Sequence, residues 1–154
     1  MMQADLIDRI MEVMECAFDA RWGEAWNRRQ VSDALTLPFT HALLIDAEGE
    51  EVTDRCEKAV GFTLSRHVLD EEELLLIAVA PSARGKGLGR KLLNLLAKRS
   101  KERGVSRIFL EMRSNNPAEH LYRSFGFEPI GRRPDYYRTA EGSRLDAITF
   151  GYSV

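Results

Sequence analysis

The sequence is poor in the residues that build disulfide frameworks and metal sites. It has 2 cysteines and 3 histidines among 154 residues. Cys16 and Cys56 stand far apart, and the histidines show no spacing that is typical of metal ligands. Metal sites in short chains usually repeat cysteine or histidine at intervals of a few residues. The sequence therefore predicts neither a disulfide framework nor a bound metal.

Long apolar runs and a large excess of either charge are also lacking. No apolar run approaches the ~20 residues that a membrane-spanning helix needs. The N-terminus carries Asp5 and Asp8 where a signal peptide would be basic. The net charge of −2 and the pI near 6.0 provide no overall basic field to attract nucleic acid. We therefore expect a cytoplasmic protein without membrane or nucleic-acid partners.

What the chain does have is the composition of a globular protein, with 44% hydrophobic and 30% charged residues. Its length fits one domain, and we expect residues 1–154 to form it. Apolar residues recur at helical spacing over residues 6–18, which predicts an amphipathic helix. A second short helix is predicted from Asn27. The strand-like segments 41–45 and 59–66 predict a hairpin with a long polar loop.

The most informative stretch of the chain runs from Glu73 to Gly104. Residues 74–79 are an unbroken apolar run, which is typical of a strand buried on both faces, and Pro81 ends it. A glycine-rich loop and a helix with a leucine-rich face follow. The loop glycines are Gly85, Gly87 and Gly89. Glycines let the backbone approach a ligand closely, and a helix N-terminus favours negative charge, so we expect an anion here.

The glycine spacing excludes two common nucleotide-binding loops. The dinucleotide fingerprint needs a third glycine where this chain has Arg90, and a Walker loop needs Lys followed by Ser or Thr where this chain has Lys86-Gly87. The run from Arg84 to Gly89 instead resembles the Arg/Gln-x-x-Gly-x-Gly/Ala loop of the GNAT (general N-acetyltransferase) superfamily. In that family the loop follows a hydrophobic strand and cradles the pyrophosphate of acetyl-CoA. The alternative is a plain glycine turn between a strand and a helix.

The resemblance implies that acetyl-CoA is the cosubstrate and that it binds along the strand, the loop and the start of the helix. The implied binding residues are Ile77, Ala78, Val79, Arg84, Gly85, Lys86, Gly87, Leu88, Gly89, Arg90 and Asn115. Either Asn115 or Asn116 could contact the pantetheine, because the spacing between Arg113 and Tyr122 is one residue shorter than usual in the family.

Residues 105–112 alternate in the manner of a second core strand, and one carboxylate stands out in it. Glu111 alternates in phase with Val105 and Phe109, so its side chain should be partly buried. A partly buried carboxylate is a candidate proton acceptor near neutral pH. The alternative is a structural ion pair between Glu111 and a neighbouring arginine.

The segment Leu-Tyr-Arg-Ser-Phe-Gly-Phe at residues 121–127 resembles a second GNAT signature, Leu-Tyr-x-x-x-Gly-Phe. The family places a tyrosine here beside the CoA sulfur as general acid, which implies that role for Tyr122. Without the resemblance, Tyr122 would be interpreted as a packed helix tyrosine. The helix that carries it is predicted to start at Asn116, with Glu119 closing a capping box.

The resemblance extends to the RimI-type alanine N-acetyltransferases. Leu110-Glu111-Met112-Arg113 followed by Asn and then Leu-Tyr is similar to their pattern, and so is the segment 132–137. Those enzymes act on the N-terminus of a ribosomal protein, which implies a protein or peptide N-terminus as acceptor here. The implied acceptor-groove residues are Trp22, Trp26, Tyr136 and Tyr137. Alternatively, the tryptophans anchor a loop to the core and the tyrosines pack on the sheet.

An acidic run, Asp70-Glu71-Glu72-Glu73, precedes the central strand. We interpret it as a solvated turn. The alternative is an acidic rim that would attract a cationic acceptor to the mouth of the site.

The expected fold is α/β, a single domain of the GNAT fold with a mixed, mainly antiparallel sheet flanked by helices. Its two central strands are expected to splay apart and admit the pantetheine arm. In the implied mechanism, Glu111 takes the amine proton directly or through water, a backbone N–H near Val79 stabilises the oxyanion, and Tyr122 protonates the leaving thiolate. Two other functions stay open, an acetyltransferase for a small-molecule amine and a non-catalytic CoA-binding regulatory module.

Overall fold

The computed structural model describes residues 3–19, 22–53, 57–139 and 141–154. One six-stranded sheet runs through the molecule in the order β1-β2-β3-β4-β6-β5. Its strands are β1 (Thr40–Ile45), β2 (Gly61–Val68), β3 (Glu71–Val79), β4 (Arg107–Arg113), β5 (Glu128–Arg138) and β6 (Arg144–Ser153). The helices are α1 (Gln3–Ala17), α2 (Arg28–Leu35), α3 (Leu88–Glu102) and α4 (Glu119–Phe125). The predicted opening helices and the hairpin of β1 and β2 are confirmed.

Helices cover both faces of the sheet because neighbouring strand residues point to opposite sides. On β1, Leu44 packs into a core with α1 and α2, whereas Leu43 packs into a core with α3 and β4. The first core includes Ile10 and Val31, and neither exposes any of its surface. The expected mixed, mainly antiparallel sheet flanked by helices is therefore confirmed.

The two central strands, β3 and β4, are parallel and separate along their length. They pair only where Glu71–Glu73 lie beside Arg107–Phe109. Beyond that point β3 stays paired with β2 as far as Val79, and β4 stays paired with β6 as far as Arg113. The facing edges of β3 and β4 thus carry backbone groups without a neighbouring strand, and the predicted splay is confirmed.

The acidic run before the central strand is a solvated turn only at its start, where Asp70 lies exposed in the turn between β2 and β3. Glu71–Glu73 begin β3, and the side chain of Glu72 is fully buried. Its carboxylate accepts hydrogen bonds from Ser65, from Ser100 at 2.8 Å and from the Arg103 guanidinium at 2.6 Å. A charge can be buried when it is paired and hydrogen-bonded, and a run of acidic letters does not reveal such partners. The run also lies at the paired end of β3 and β4, away from the cavity.

The start of α4 differs from the predicted capping box. The helix begins at Glu119, and Asn116 instead forms a local turn in which its Oδ1 accepts the N–H of Ala118 at 2.9 Å. Glu119 pairs with Arg123 one turn later, with 2.7 Å between Oε2 and Nε. The i,i+4 ion pair uses the carboxylate that the box would have required.

Several predicted absences can be compared only with part of the chain. Within the described residues, no helix has the length and apolar character needed to cross a membrane. The same residues contain no grouping of three or more His, Cys, Asp and Glu side chains that could hold a metal ion. Cys56 lies outside the described residues, and Cys16 is exposed near the end of α1.

Candidate active site

A cavity of about 900 Å³ opens where β3 and β4 diverge. Its walls are residues 74–79 of β3, residues 110–113 of β4, the segment between α1 and α2, and the start of α4. Of the predicted site residues, the cavity is lined by Trp22, Trp26, Ile77, Ala78, Val79, Arg84, Gly89, Glu111, Asn115, Tyr122 and Tyr137. The splay therefore brings residues from both halves of the chain to one place.

The other predicted residues lie outside the cavity wall. Gly85, Lys86, Gly87, Leu88 and Arg90 form the loop and helix start next to it, and Tyr136 lies on β5. Asn115 and Asn116 both line the cavity, so the geometry does not choose between them for pantetheine.

The glycine loop connects β3 to α3 through a short 3₁₀ turn at Pro81–Ala83. Gly85 and Gly87 have φ angles of +79° and +76°, which side chains with a Cβ rarely adopt. Gly87 immediately precedes the first residue of α3, so the first N–H groups of that helix point to the loop without helical partners. Gly89 serves packing, because an added Cβ would lie 2.9 Å from a methyl of Leu121 on α4. The loop has the backbone of an anion-binding helix start.

Arg84, the first residue of this loop, does not extend freely into solvent. Its Nε donates to the carbonyl of Val79 at 3.2 Å, and its Nη2 donates to the carbonyl of Ala17 at 2.6 Å. The side chain thus joins the end of β3 to the end of α1.

Glu111 lies on β4 with its side chain 25% exposed, and it faces the cavity. The hydroxyl of Tyr137 approaches its Oε1 at 3.5 Å, and Nε of Arg133 lies 3.9 Å from its Oε2. The Arg133 contact is the ion pair that was the structural alternative for Glu111. It is long and its arginine side chain is 63% exposed, and such surface pairs hold a carboxylate only weakly. The Glu111 carboxylate therefore faces the cavity with only long contacts to the protein.

Tyr122 lies on α4 and is 6% exposed. Its ring packs edge-on against Phe127, with 5.8 Å between ring centroids, while the residue also lines the cavity. Tyr122 is therefore both a packed helix tyrosine and a residue of the cavity wall. Burial raises the pKa of Tyr122 far above its usual value, and the nearby Glu24 carboxylate adds to the effect. The hydroxyl stays protonated at every pH in which the protein would work.

Tyr137 reaches the cavity from β5, at a place where the hairpin of β5 and β6 is irregular. The register of this pair shifts between Arg133 and Tyr137, and Asp135 has a φ of +52°. Asp146 accepts the N–H of Asp135 at 2.8 Å, which holds the bend. Burial, and after it the charge of Glu111, raises the pKa of Tyr137 to about 12. Its neighbour Tyr136 is 52% exposed and lies outside the cavity wall.

Sequence reasoning missed an arginine and a carboxylate that lie in the wall together. Arg113 is only 7% exposed, and its guanidinium lies 3.8 Å from the ring centre of Trp22. Its Nε is 3.4 Å from Oε1 of Glu24, and its Nη1 donates to Oδ1 of Asn115. Arg113 alternates in phase with Glu111 on β4, and that spacing was the signal in the sequence. Glu24 had none, because it approaches only when the segment after α1 folds over β4.

Trp26 has contacts both with the cavity and with the core. It lines the cavity and also packs, partly buried, against the core formed by α1, α2 and the sheet. Trp22 stacks on Arg113 at the cavity wall. The two rings thus shape the segment between α1 and α2 into one side of the cavity.

The family model and the related proteins that match this chain agree on one family. Residues 7–127 match the model of the acetyltransferase (GNAT) family. A protein of Haemophilus influenzae named [ribosomal protein bS18]-alanine N-acetyltransferase is 34% identical over 116 residues, which cover 73% of this chain and 80% of that protein.

Solved structures agree in fold. The crystal structure of the ribosomal-protein-S18-alanine N-acetyltransferase from Escherichia coli superposes with a TM-score of 0.80 at 28% identity, covering 100% of this chain and 90% of that one. Arabidopsis thaliana NAA60 in complex with acetyl-CoA gives a TM-score of 0.76 over 99% of this chain and 94% of that one. At 18% identity, the second likeness concerns the fold alone.

Proposed function

The chain belongs to the GNAT family of acetyltransferases and is an acetyl-CoA-dependent N-acetyltransferase, and we propose on this premise that its acceptor is the α-amino group at a protein N-terminus. The relatives from H. influenzae and E. coli are named as N-acetyltransferases of an alanine in a ribosomal protein. We therefore propose a ribosomal protein as the physiological acceptor. We further propose that residues 1–154 act as one acetyltransferase domain in the cytoplasm, without membrane or nucleic-acid partners.

The observation that carries this proposal is the cavity at the splay of β3 and β4, with Glu111 and Tyr122 in its wall. The open strand edges offer backbone groups to a pantetheine amide chain, including those of Ile77, Ala78 and Val79. Asn115 lies at the opposite wall. The N–H groups of the loop Gly85–Arg90 suit a pyrophosphate, with Lys86 and Arg90 adding positive charge.

The chain's own residues divide the proton transfers of the reaction between them. Acetyl-CoA supplies a thioester carbonyl that an amine can attack. Glu111 accepts the proton of the acceptor ammonium, directly or through water, and Tyr122 donates a hydrogen bond and then its proton to the departing thiolate. A backbone N–H near Val79 stabilises the negative oxygen that develops on the carbonyl. An α-amino group with a pKa near 8 is roughly one-tenth neutral at pH 7, so a single carboxylate base suffices.

A small-molecule amine is the second candidate acceptor, because Asp19, Glu24 and Glu111 all line the cavity. Their negative charge would attract a cationic amine, although Arg113 beside Glu24 and Arg133 near Glu111 offset part of it. A peptide has a backbone that Trp22, Trp26, Tyr136 and Tyr137 can contact by packing or hydrogen bonds, and a small amine has none. This difference favours the peptide. A CoA-binding regulatory module would have no use for a base or an acid in the cavity.

Release of CoA thiol from acetyl-CoA, measured with a panel of acceptors, tests the proposal. The panel contains alanine- and serine-initiated peptides, the same peptides with a blocked N-terminus, and small amines such as spermidine. We expect kcat/KM to be highest for the free peptides and thiol release to vanish when the N-terminus is blocked. Faster turnover of spermidine than of every peptide would show that the acceptor is not a protein N-terminus. The absence of thiol release with any amine would favour a CoA-binding regulatory module.

A further inference from the structure

Arg84 is the arginine of the glycine loop, and its hydrogen bonds lead away from that loop. Its backbone N–H donates to the carbonyl of Pro81 at 3.3 Å. Its guanidinium donates to the carbonyls of Val79, at 3.2 Å, and Ala17, at 2.6 Å. A guanidinium is planar and offers its N–H groups in a fixed fork, so two bonds of this kind fix its orientation.

The bond to Ala17 supplies something that α1 lacks. Ala17 is the last residue of the helix, and the last turn of α1 contains no basic residue. The carbonyls at the end of a helix have no helical partners, and a cation there is stabilised by the helix dipole. Arg84, which stands 67 residues further along the chain, provides both the donor and the positive charge.

The two carbonyls belong to different elements of the cavity wall, α1 and β3. Ala17 leads into the segment that carries Trp22, Glu24 and Trp26, and Val79 ends the strand along which the acetyl donor is proposed to lie. One side chain therefore links the end of α1, which leads to the wall proposed for the acceptor, to the end of the strand proposed for the donor. Loss of this link would weaken the contacts that the wall makes with a bound acceptor, and such a loss raises the acceptor KM.

We propose that Arg84 is a positioning residue for the acceptor, acting through the end of α1, and not a ligand of the pyrophosphate. Its guanidinium holds the end of α1, from which the chain continues to residues 22–26, and so supports the part of the cavity wall that the acceptor is proposed to contact. The inference rests on the proposed function only in placing the acceptor beside that segment.

Arg84→Met tests the proposal, because methionine keeps much of the side-chain length and removes every donor. We expect the KM for the acceptor to rise roughly tenfold, the factor that corresponds to one charge-assisted hydrogen bond, with the dissociation constant for acetyl-CoA within about twofold of wild type. Arg84→Lys keeps the charge but not the fork, and we expect an intermediate rise. Lys86→Ala is the matched control in the same loop, and it should weaken acetyl-CoA binding and leave the acceptor KM unchanged.

Hydrogen exchange supplies a readout that needs no acceptor. The amides of residues 13–17 should exchange faster in Arg84→Met than in wild type, and those of Lys86→Ala should not change. Weaker acetyl-CoA binding in Arg84→Met, by calorimetry, with an unchanged acceptor KM would overturn the proposal. An equal loss of both, or no change in either, would overturn it as well. If no amine were a substrate, the proposed acceptor would be wrong, while calorimetry and exchange would still decide the role of Arg84.

Discussion

At the scale of residues, Glu111 is the proposed general base. Its strand position brings the side chain into the cavity, and its contacts with Tyr137 and Arg133 are both long, at 3.5 and 3.9 Å. A group that is held so loosely can shift toward an incoming ammonium. The assignment of Glu111 as general base rests on this availability and on its place in the cavity wall.

Glu111→Gln should therefore keep acetyl-CoA affinity and lose turnover. The amide has nearly the same shape but cannot accept the proton, and loss of a general base typically lowers the rate by about 10²- to 10⁴-fold. The loss should shrink as the pH rises, because the acceptor α-amino group then deprotonates without help. The measurement is kcat for a peptide across the pH range, beside calorimetry with acetyl-CoA. Glu128→Gln, on the exposed strand β5, is the control, and a pH profile of Glu111→Gln parallel to wild type would exclude the base.

Tyr122→Phe should lower kcat without unfolding the protein. Phenylalanine keeps the edge-on contact with Phe127 and removes only the hydroxyl. Because the pKa of Tyr122 is raised by burial and by Glu24, the wild-type hydroxyl stays protonated and its contribution should be constant between about pH 7 and 9. Steady-state kinetics at several pH values measure this, with Tyr152→Phe as the control, because the Tyr152 ring packs on Phe125 and Phe127 and does not line the cavity. An unchanged kcat in Tyr122→Phe would show that Tyr122 is not the general acid and contributes only to packing.

At the scale of elements, the glycine loop depends on backbone conformation more than on free space. An added Cβ at Gly87 would meet no atom within 4 Å, yet its φ of +76° is costly for any other residue. Gly142, in the turn between β5 and β6, has a φ of +87° and is equally uncrowded. The two glycines thus separate the effect of strain from the effect on a bound phosphate.

Gly87→Val should weaken acetyl-CoA binding, and Gly142→Val should not, although both variants carry the same kind of backbone strain. The branched side chain at residue 87 would stand where the pyrophosphate is proposed to approach. Calorimetry with acetyl-CoA on the folded variants compares them. Wild-type affinity in folded Gly87→Val would show that the phosphates lie elsewhere.

At the end where β3 pairs with β4, the buried Glu72 joins β3 to β2 and to the C-terminal end of α3. Burial alone would raise the pKa of this carboxyl, but the bonds from Arg103, Ser65 and Ser100 together outweigh it and hold the pKa below its ordinary value of 4.5. A depressed pKa adds stability that is fully present above the unfolded-state value. That contribution is lost as the pH falls through the lower, folded-state value.

Glu72→Gln should lower the free energy of unfolding by about 3 kcal/mol at neutral pH, because it leaves the Arg103 charge without its partner. The difference between wild type and variant should narrow as the pH falls below about 4.5, where the carboxyl of the unfolded chain takes up a proton, and should close below the lower folded-state pKa. Urea unfolding at neutral and acid pH measures both statements. Glu71→Gln, the exposed neighbour on β3, should change stability little. Equal stability of the two variants would show that the buried contacts of Glu72 with Arg103, Ser65 and Ser100 do not stabilise the fold.

The molecule as a whole shows where sequence information suffices. The apolar run of β3, the glycine loop and the leucine face of α3 are local patterns, and each predicted its element because short-range geometry determines it. Glu111 could be found because strand alternation is also local. The partnership of Arg113 with Glu24, the bonds of Arg84 and the burial of Glu72 join residues far apart in the chain, and no local pattern contains them.

The central claim is that this cavity transfers an acetyl group from acetyl-CoA to an N-terminal α-amino group. The most direct test is one alanine-initiated peptide that also contains a lysine, incubated with the protein and acetyl-CoA and sequenced by mass spectrometry. The peptide offers both amines at the same total concentration, and the same incubation without protein corrects for the larger neutral fraction of the α-amino group. We expect the acetyl group on the alanine nitrogen, and its loss in Glu111→Gln at neutral pH. Acetylation of the lysine, or none on a peptide whose free N-terminus is intact, would contradict the account.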